Sequence, residues 1–134
     1  MNTNSFIKTV IVVWLVNSIL GTILNVFILN WDVMPGATPS DMMGTMSYVY
    51  IYLGALVFSI FFTLIFTKGH EGKGISEGVR YGLYVGLLIY LSEFLMNSGT
   101  VDFPGNLLWG YHFGMIAISV VLGITAAAMY KPAA

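Results

Sequence analysis

The charged residues of this chain are gathered in short clusters, and the stretches between the clusters carry no formal charge. Five Lys or Arg and six Asp or Glu leave uncharged runs at Thr9–Trp31, Met42–Thr67, Tyr81–Ser92 and Phe103–Tyr130. Three of these runs exceed the roughly 20 residues that a helix needs to cross about 30 Å of hydrocarbon. With 57% apolar and 8% charged residues, the chain is too apolar for a soluble domain, in which about a quarter of the residues are charged.

The third uncharged run is too short to cross a membrane by itself, but its flanks extend it. Arg80 can snorkel to one interface while Glu93 sits near the other, which gives a helix from about Ile75 to Met96. The sequence therefore predicts an all-α polytopic membrane protein, a single domain over residues 1–134. Its four transmembrane helices are expected at about 6–30, 45–67, 75–97 and 105–130.

The basic residues predict the orientation of the helices. If the four spans alternate in direction, all the basic residues fall on one side of the membrane, namely Lys8, Lys68, Lys73, Arg80 and Lys131. Acidic residues lie on or toward the other side, namely Asp32, Asp41, Glu93 and Asp102. The positive-inside rule then places both termini in the cytoplasm.

Catalytic and cofactor motifs are missing from the sequence. Without cysteine there can be no disulfide, thiolate metal site or thiol redox chemistry. His70-Glu71 lacks the second histidine of a zinc protease motif, and Gly69–Gly74 lacks the Gly-Lys-Ser/Thr ending of a phosphate loop. A haem held by two histidines within the bilayer would need a partner for His112, and Glu-x-x-His pairs for di-iron are absent. We therefore expect neither an enzyme nor a cofactor or metal site.

Four glycines at spacing four, Gly74, Gly78, Gly82 and Gly86, run into the third predicted helix. Because glycine has no Cβ, such a row lets another helix backbone approach closely. We interpret it as a glycine zipper that packs either on another helix of this chain or on a second copy. The functional alternative is a groove that holds a lipid or quinone.

Polar residues inside the spans form a second group of candidates, comprising Asn17, Asn25, Glu93 and His112. The asparagines lie on one face of the first helix, where they can bond other helices or line a solute path. Glu93 and His112 each lie about one turn inside the outer end of a helix. They could share a proton that is coupled to transport, or form a structural pair at the interface.

An internal echo links Asn30–Gly36 to Asn97–Gly105, because both end in Asp-x-x-Pro-Gly or a close variant. Two repeated helical hairpins would explain it. The alternative is that apolar spans resemble one another by composition.

The segment Lys68–Gly72 reads Lys-Gly-His-Glu-Gly, and Glu77–Gly82 reads Glu-Gly-Val-Arg-Tyr-Gly, with Gly86 following. Over about 20 residues this resembles a group of small bacterial four-helix membrane proteins of unknown function. The resemblance implies a location in the bacterial inner (plasma) membrane. It also implies a cytoplasmic functional or assembly surface made of Lys68, Glu71, Glu77, Arg80 and Tyr81. A salt-bridged network that only fixes the loop is the alternative.

Together these features predict a non-enzymatic membrane protein that self-associates, or joins a larger membrane assembly as an accessory or scaffold subunit, through its glycine face. The expected partners are membrane lipids and a second copy or other membrane subunits, and not nucleic acid. The alternative function is a small channel or proton-coupled transporter that uses Glu93 and His112.

Overall fold

The computed structural model describes residues 1–29, 45–100, 102 and 104–133, and describes 45–47 by their backbone only. The described chain is helical, with five α-helices: α1 Thr3–Thr22, α2 Thr45–Lys68, α3 Ile75–Gly86, α4 Ser92–Thr100 and α5 Gly105–Met129. Two π-helical segments extend them. Ile23–Ile28 continues α1, and Leu87–Leu91 joins α3 to α4.

These helices make four spans that are long and apolar enough to cross a membrane: Thr3–Ile28, Tyr48–Lys68, Ile75–Thr100 and Gly105–Met129. The prediction of an all-α, four-span membrane fold is therefore confirmed, and each predicted end lies within three residues of the observed one. The third span runs through the short uncharged segment, and the side chain of Arg80 keeps 53% of its surface exposed. That exposure suits a cation which reaches out of the apolar layer.

Both termini lie at the same end of the bundle, beside the loop that joins the second and third spans. The backbone N–H of Lys131 donates to Oγ of Ser5 at 2.6 Å, and Oγ1 of Thr67 contacts Sδ of Met1 at 3.8 Å. We call this the basic end, because all five basic residues of the chain belong to it: Lys8, Lys68, Lys73, Arg80 and Lys131. The spans thus alternate in direction.

The fourth span is the centre of the bundle. In an apolar stretch of 18 residues in this span, 44% of the residues are buried, against 6–22% in the corresponding stretches of the other three spans. The first, second and third spans all pack on it. The buried apolar core is formed by Val13, Leu24, Phe62, Phe66, Ile118, Leu122, Ala126 and Tyr130.

The closest helix contact joins α3 to α5, and glycine makes it possible. A Cβ on Gly82 would lie 2.7 Å from Cα of Val120 and would overlap the carbonyl oxygen of Ser119. A Cβ on Gly123 would lie 2.8 Å from the backbone nitrogen of Gly82. Such distances exclude any side chain, so the two backbones touch. The partner of the glycine row is therefore a helix of the same chain.

Gly78 and Gly86 extend this contact by one turn in each direction, toward Ala127 and Ile116 respectively. Gly74 does not share it, because a Cβ there would meet no atom within 4 Å. Gly74 precedes α3 with φ 68° and ψ −145°, a conformation that is open mainly to glycine. The predicted four-residue packing face thus consists of three residues, and Gly74 serves the backbone turn.

The predicted repeat of two hairpins cannot be compared across its two copies. Asn30–Gly36 lies outside the described residues, as do Val101 and Phe103 of the second copy.

Candidate functional site

The carboxylate of Glu77 holds the loop at the basic end. Its Oε1 accepts from the backbone N–H of Glu71 at 2.7 Å, and its Oε2 accepts from that of Lys73 at 2.9 Å. Glu77 is the third residue of α3, a position from which glutamate commonly reaches back to a preceding N–H. Only 5% of Glu77 is exposed, so these two bonds compensate for the burial of a charge.

His70 lies on the other side of the same carboxylate. Its Nδ1 is 3.3 Å from Oε1 of Glu77, an ion-pair distance, but the two atoms are not aligned for a hydrogen bond. The imidazole ring meets Tyr130 at a centroid distance of 5.4 Å with an interplanar angle of 88°, and Phe66 at 5.4 Å. The loop therefore packs into the aromatic end of the core instead of lying free above it.

Tyr81 joins the third span to the second. Its hydroxyl donates to the carbonyl oxygen of Phe62 at 2.5 Å, and its ring packs edge-on against Phe62 and Phe66. Of the five residues of the predicted assembly surface, Glu77 is buried and bonded to the loop backbone, and Tyr81 is half-buried against the second span. Lys68, Glu71 and Arg80 are exposed.

The exposed charges of the loop converge on one carboxylate. Nζ of Lys73 lies 2.5 Å from Oε2 of Glu71, and Nη2 of Arg80 lies 3.6 Å from the same oxygen. Lys73, with a smaller contribution from Arg80, holds the pKa of Glu71 below its ordinary value of 4.5. All three side chains are more than half exposed, so each pair is weak and easily exchanged.

An open groove of about 130 Å³ lies beside this cluster. Its walls are formed by Phe66, Gly69, Glu71, Glu77, Arg80, Tyr81 and Tyr84. The groove thus has charged groups at the loop and aromatic rings toward the membrane.

At the far end of the bundle, the structure places His112 and Glu93 in different surroundings. His112 is 2% exposed, with Nδ1 2.7 Å from the carbonyl oxygen of Leu108 and Nε2 3.3 Å from Nδ2 of Asn97. A carbonyl can only accept, so Nδ1 carries the proton and Nε2 accepts from the amide. Glu93 is half-buried and lies near the edge-on pair Tyr90 and Tyr111. Glu93 and His112 are both among the described residues, and they form no ion pair, since no carboxylate oxygen lies within 4 Å of an imidazole nitrogen.

The two asparagines of the first span are half-buried. Nδ2 of Asn25 donates to the carbonyl oxygen of Gly21 at 2.8 Å, within the same helix. Asn17 lies two turns earlier.

Three contributors to these sites were not predicted: Ser119, Asn97 and Tyr130. A signal for the first was present, because Ser119, Gly123 and Ala127 form a row of small residues at spacing four that matches the glycine row. No such signal marks Asn97 or Tyr130, since each acts through a neighbour that is distant in sequence.

Within 1–29, 45–100, 102 and 104–133, no group of three His, Asp or Glu residues is placed to hold a metal ion. In comparisons with protein-family models, curated proteins and solved structures, none matched this chain. The functional argument therefore rests on the chain's own geometry.

Proposed function

We propose that this chain is a non-enzymatic integral membrane protein that acts as an accessory or scaffold subunit of a membrane assembly, and that the loop at the basic end is the surface it presents. The observation that carries this proposal is the buried Glu77 carboxylate, which holds the backbone of the loop through Glu71 and Lys73. A connection of a few residues between two apolar helices does not need such an anchor merely to close the turn.

Order in the loop supports a role in recognition. A surface that is already fixed loses less conformational entropy when a partner binds. The exposed groups on this loop carry both signs of charge, from Lys68, Glu71 and Lys73. Such a pattern favours a partner with complementary charges over a purely lipid contact.

The contact of the glycine row with α5 favours assembly through a surface other than the glycine face. Self-association through Gly78 and Gly82 would require α3 to leave α5, because the same face already contacts Ser119 and Gly123. A second copy or another membrane subunit would therefore meet the loop and the lipid-facing surfaces. The basic residues support an orientation with this end in the cytoplasm of a bacterium, by the positive-inside rule.

A small channel or proton-coupled transporter is the alternative. It would need Glu93 and His112 to exchange a proton, whereas His112 is bonded to Asn97 and Leu108. That pairing supports the accessory role over transport. Flux that depends on Glu93 in proteoliposomes would reverse this preference.

The test is the mass of the native protein, purified in lipid nanodiscs. We expect a species larger than one 14.7 kDa chain, which Glu77→Ala reduces to a single chain while the helical content is kept. Glu93→Ala is the matched control, because it removes the same group from the same span away from the loop. A wild type that is monomeric and alone, or equal effects of the two variants, would refute the proposal.

A further inference from the structure

We propose that the groove beside Arg80 and Tyr84 binds the phosphate of an anionic phospholipid, and that the Glu71 carboxylate occupies the phosphate position when no lipid is bound. This inference goes beyond the accessory role, and it can be tested on the isolated chain without any protein partner.

The position of the anion is marked by one oxygen atom. Oε2 of Glu71 lies 2.5 Å from Nζ of Lys73 and 3.6 Å from Nη2 of Arg80. An ammonium and a guanidinium that converge on one oxygen form the arrangement that proteins use for phosphate. The wall of the groove holds Arg80, Glu71 and Glu77 together with aromatic rings. The Glu77 carboxylate is already bonded to two backbone N–H groups of the loop, so Glu71 is the acid whose cation contacts a phosphate can take over.

The carboxylate can leave this position at little cost. The side chain of Glu71 is 53% exposed, so it can turn into water, where it is fully solvated. The loop backbone stays in place meanwhile, because Glu77 and not Glu71 holds it. A phosphate has more than one free oxygen, so it can place a separate oxygen on each cation. The single Oε2 atom of Glu71 must serve both and lies 3.6 Å from Arg80.

The charge of the surrounding surface suits the same ligand. The basic end carries five basic residues against two acidic ones, Glu71 and Glu77, which gives 5 − 2 = +3. Basic surfaces next to a membrane attract anionic lipid headgroups.

The helix below the groove favours a lipid over a soluble anion. Arg80 and Tyr84 follow one another at spacing four on one face of α3, about 6 Å apart along the axis. Leu88 comes next along the span, in the π-helical segment below them. All are exposed, Tyr84 by 66% and Leu88 by 73%. A cation, an aromatic ring and an aliphatic side chain thus descend in the order of a phosphate, a glycerol ester and an acyl chain. A free phosphate would use only the first of the three.

The test is lipid binding by the delipidated protein in detergent, measured by native mass spectrometry with phosphatidylglycerol or phosphatidylcholine added. We expect wild type to keep one phosphatidylglycerol at lipid ratios where it keeps no phosphatidylcholine. Arg80→Gln should weaken this binding at least fivefold, and Arg80→Lys should restore part of it. Glu71→Gln should strengthen it severalfold, because the internal competitor is gone.

Lys131→Gln is the matched control, since it removes the same charge from the same end outside the groove, and it should change binding less than twofold. Equal losses in Arg80→Gln and Lys131→Gln would show a diffuse charge effect and overturn the site. No gain in Glu71→Gln would overturn the role of Glu71. Displacement of the lipid by equimolar soluble glycerol phosphate would show an anion site without lipid specificity and overturn the lipid assignment. Circular dichroism of each variant confirms that the bundle is intact.

Discussion

Oγ of Ser119 donates a hydrogen bond to the backbone carbonyl oxygen of Gly82 at 2.8 Å, across the contact between α3 and α5. The two residues are 37 positions apart, and Ser119 is 1% exposed. Lipid tails are as apolar as the side chains of a helix, so the hydrophobic effect does not drive helices together inside a membrane. Close backbone contact and interhelical hydrogen bonds are then the main sources of helix association. The stability of the bundle should therefore depend strongly on this contact.

Gly82→Ala should destabilise the fold by about 1–3 kcal/mol, because the new Cβ overlaps the backbone of Ser119 and Val120 and must push the helices apart. Thermal unfolding in detergent micelles measures the effect. Gly54→Ala is the control, since a Cβ at that helical position meets nothing within 4 Å. Equal unfolding temperatures for the two variants would contradict the close contact.

Glu77→Gln should loosen the loop while the helices remain. The glutamine keeps one carbonyl acceptor but loses the charge and the second acceptor, at a cost of about 1.5–3 kcal/mol for a charged hydrogen bond. We expect the amides of Glu71 and Lys73 to exchange with solvent about 10- to 100-fold faster. Ser76→Ala is a control in the same turn, because its hydroxyl contacts the carbonyl of Lys73 at 3.1 Å and no loop amide. Unchanged amide exchange at Glu71 and Lys73 in the Glu77→Gln variant would show that Glu77 does not hold the loop.

Gly74→Ala should cost about 1–3 kcal/mol through backbone strain, because φ 68° with ψ −145° is a region that a residue with a Cβ avoids. The nearby Gly69→Ala should be nearly neutral, since its φ is not in the positive region and the closest atom to a Cβ there is 3.9 Å away. Chemical or thermal unfolding compares the two. A larger loss of stability for Gly69→Ala than for Gly74→Ala would contradict the positive φ of Gly74.

The pKa of Glu71 tests the ion cluster that this residue forms with Lys73 and Arg80. Because Lys73 and then Arg80 lower its pKa below 4.5, the carboxylate stays charged above that pH, and its ion contacts are lost only as the pH falls through the lowered value. Lys73→Gln should bring the midpoint back toward 4.5, and Arg80→Gln should do so less. Carbon-13 NMR of labelled glutamate can follow this directly, since the chain has three glutamates. A midpoint at or above 4.5 in the wild type would exclude the cluster.

His112 should be found in the Nδ1–H tautomer, because Nδ1 faces the carbonyl of Leu108 and Nε2 faces the amide nitrogen of Asn97. Nitrogen-15 NMR distinguishes the tautomers, and His70 is the only other histidine to assign. Asn97→Leu should change the Nε2 resonance of His112 and leave His70 as it was. An Nε2–H tautomer in the wild type would reverse the donor and acceptor roles.

The sequence could predict the number and limits of the spans because each depends on a local property. Lipid cannot bond a free backbone, so an uncharged run that crosses hydrocarbon must satisfy its own backbone groups, and a helix does this within one segment. The gathering of basic residues at one end follows from the same alternation of spans. The glycine row could likewise be recognised as a close-packing face, because the lack of a Cβ is a property of the residue alone.

What faces that row was decided only by the tertiary structure. Gly82 could equally have met a second copy, and it meets Ser119 because the fourth span lies at the centre of the bundle. The same holds for His112, whose partner is Asn97 and not Glu93. Residue spacing along a helix sets which side chains share a face, but the rotation of each helix about its axis follows from the packing of all four. The charge pattern by itself predicted four helices long and apolar enough to span a membrane. The packing of the loop that Glu77 holds was decided only by the tertiary structure, in which His70 lies against Phe66 and Tyr130.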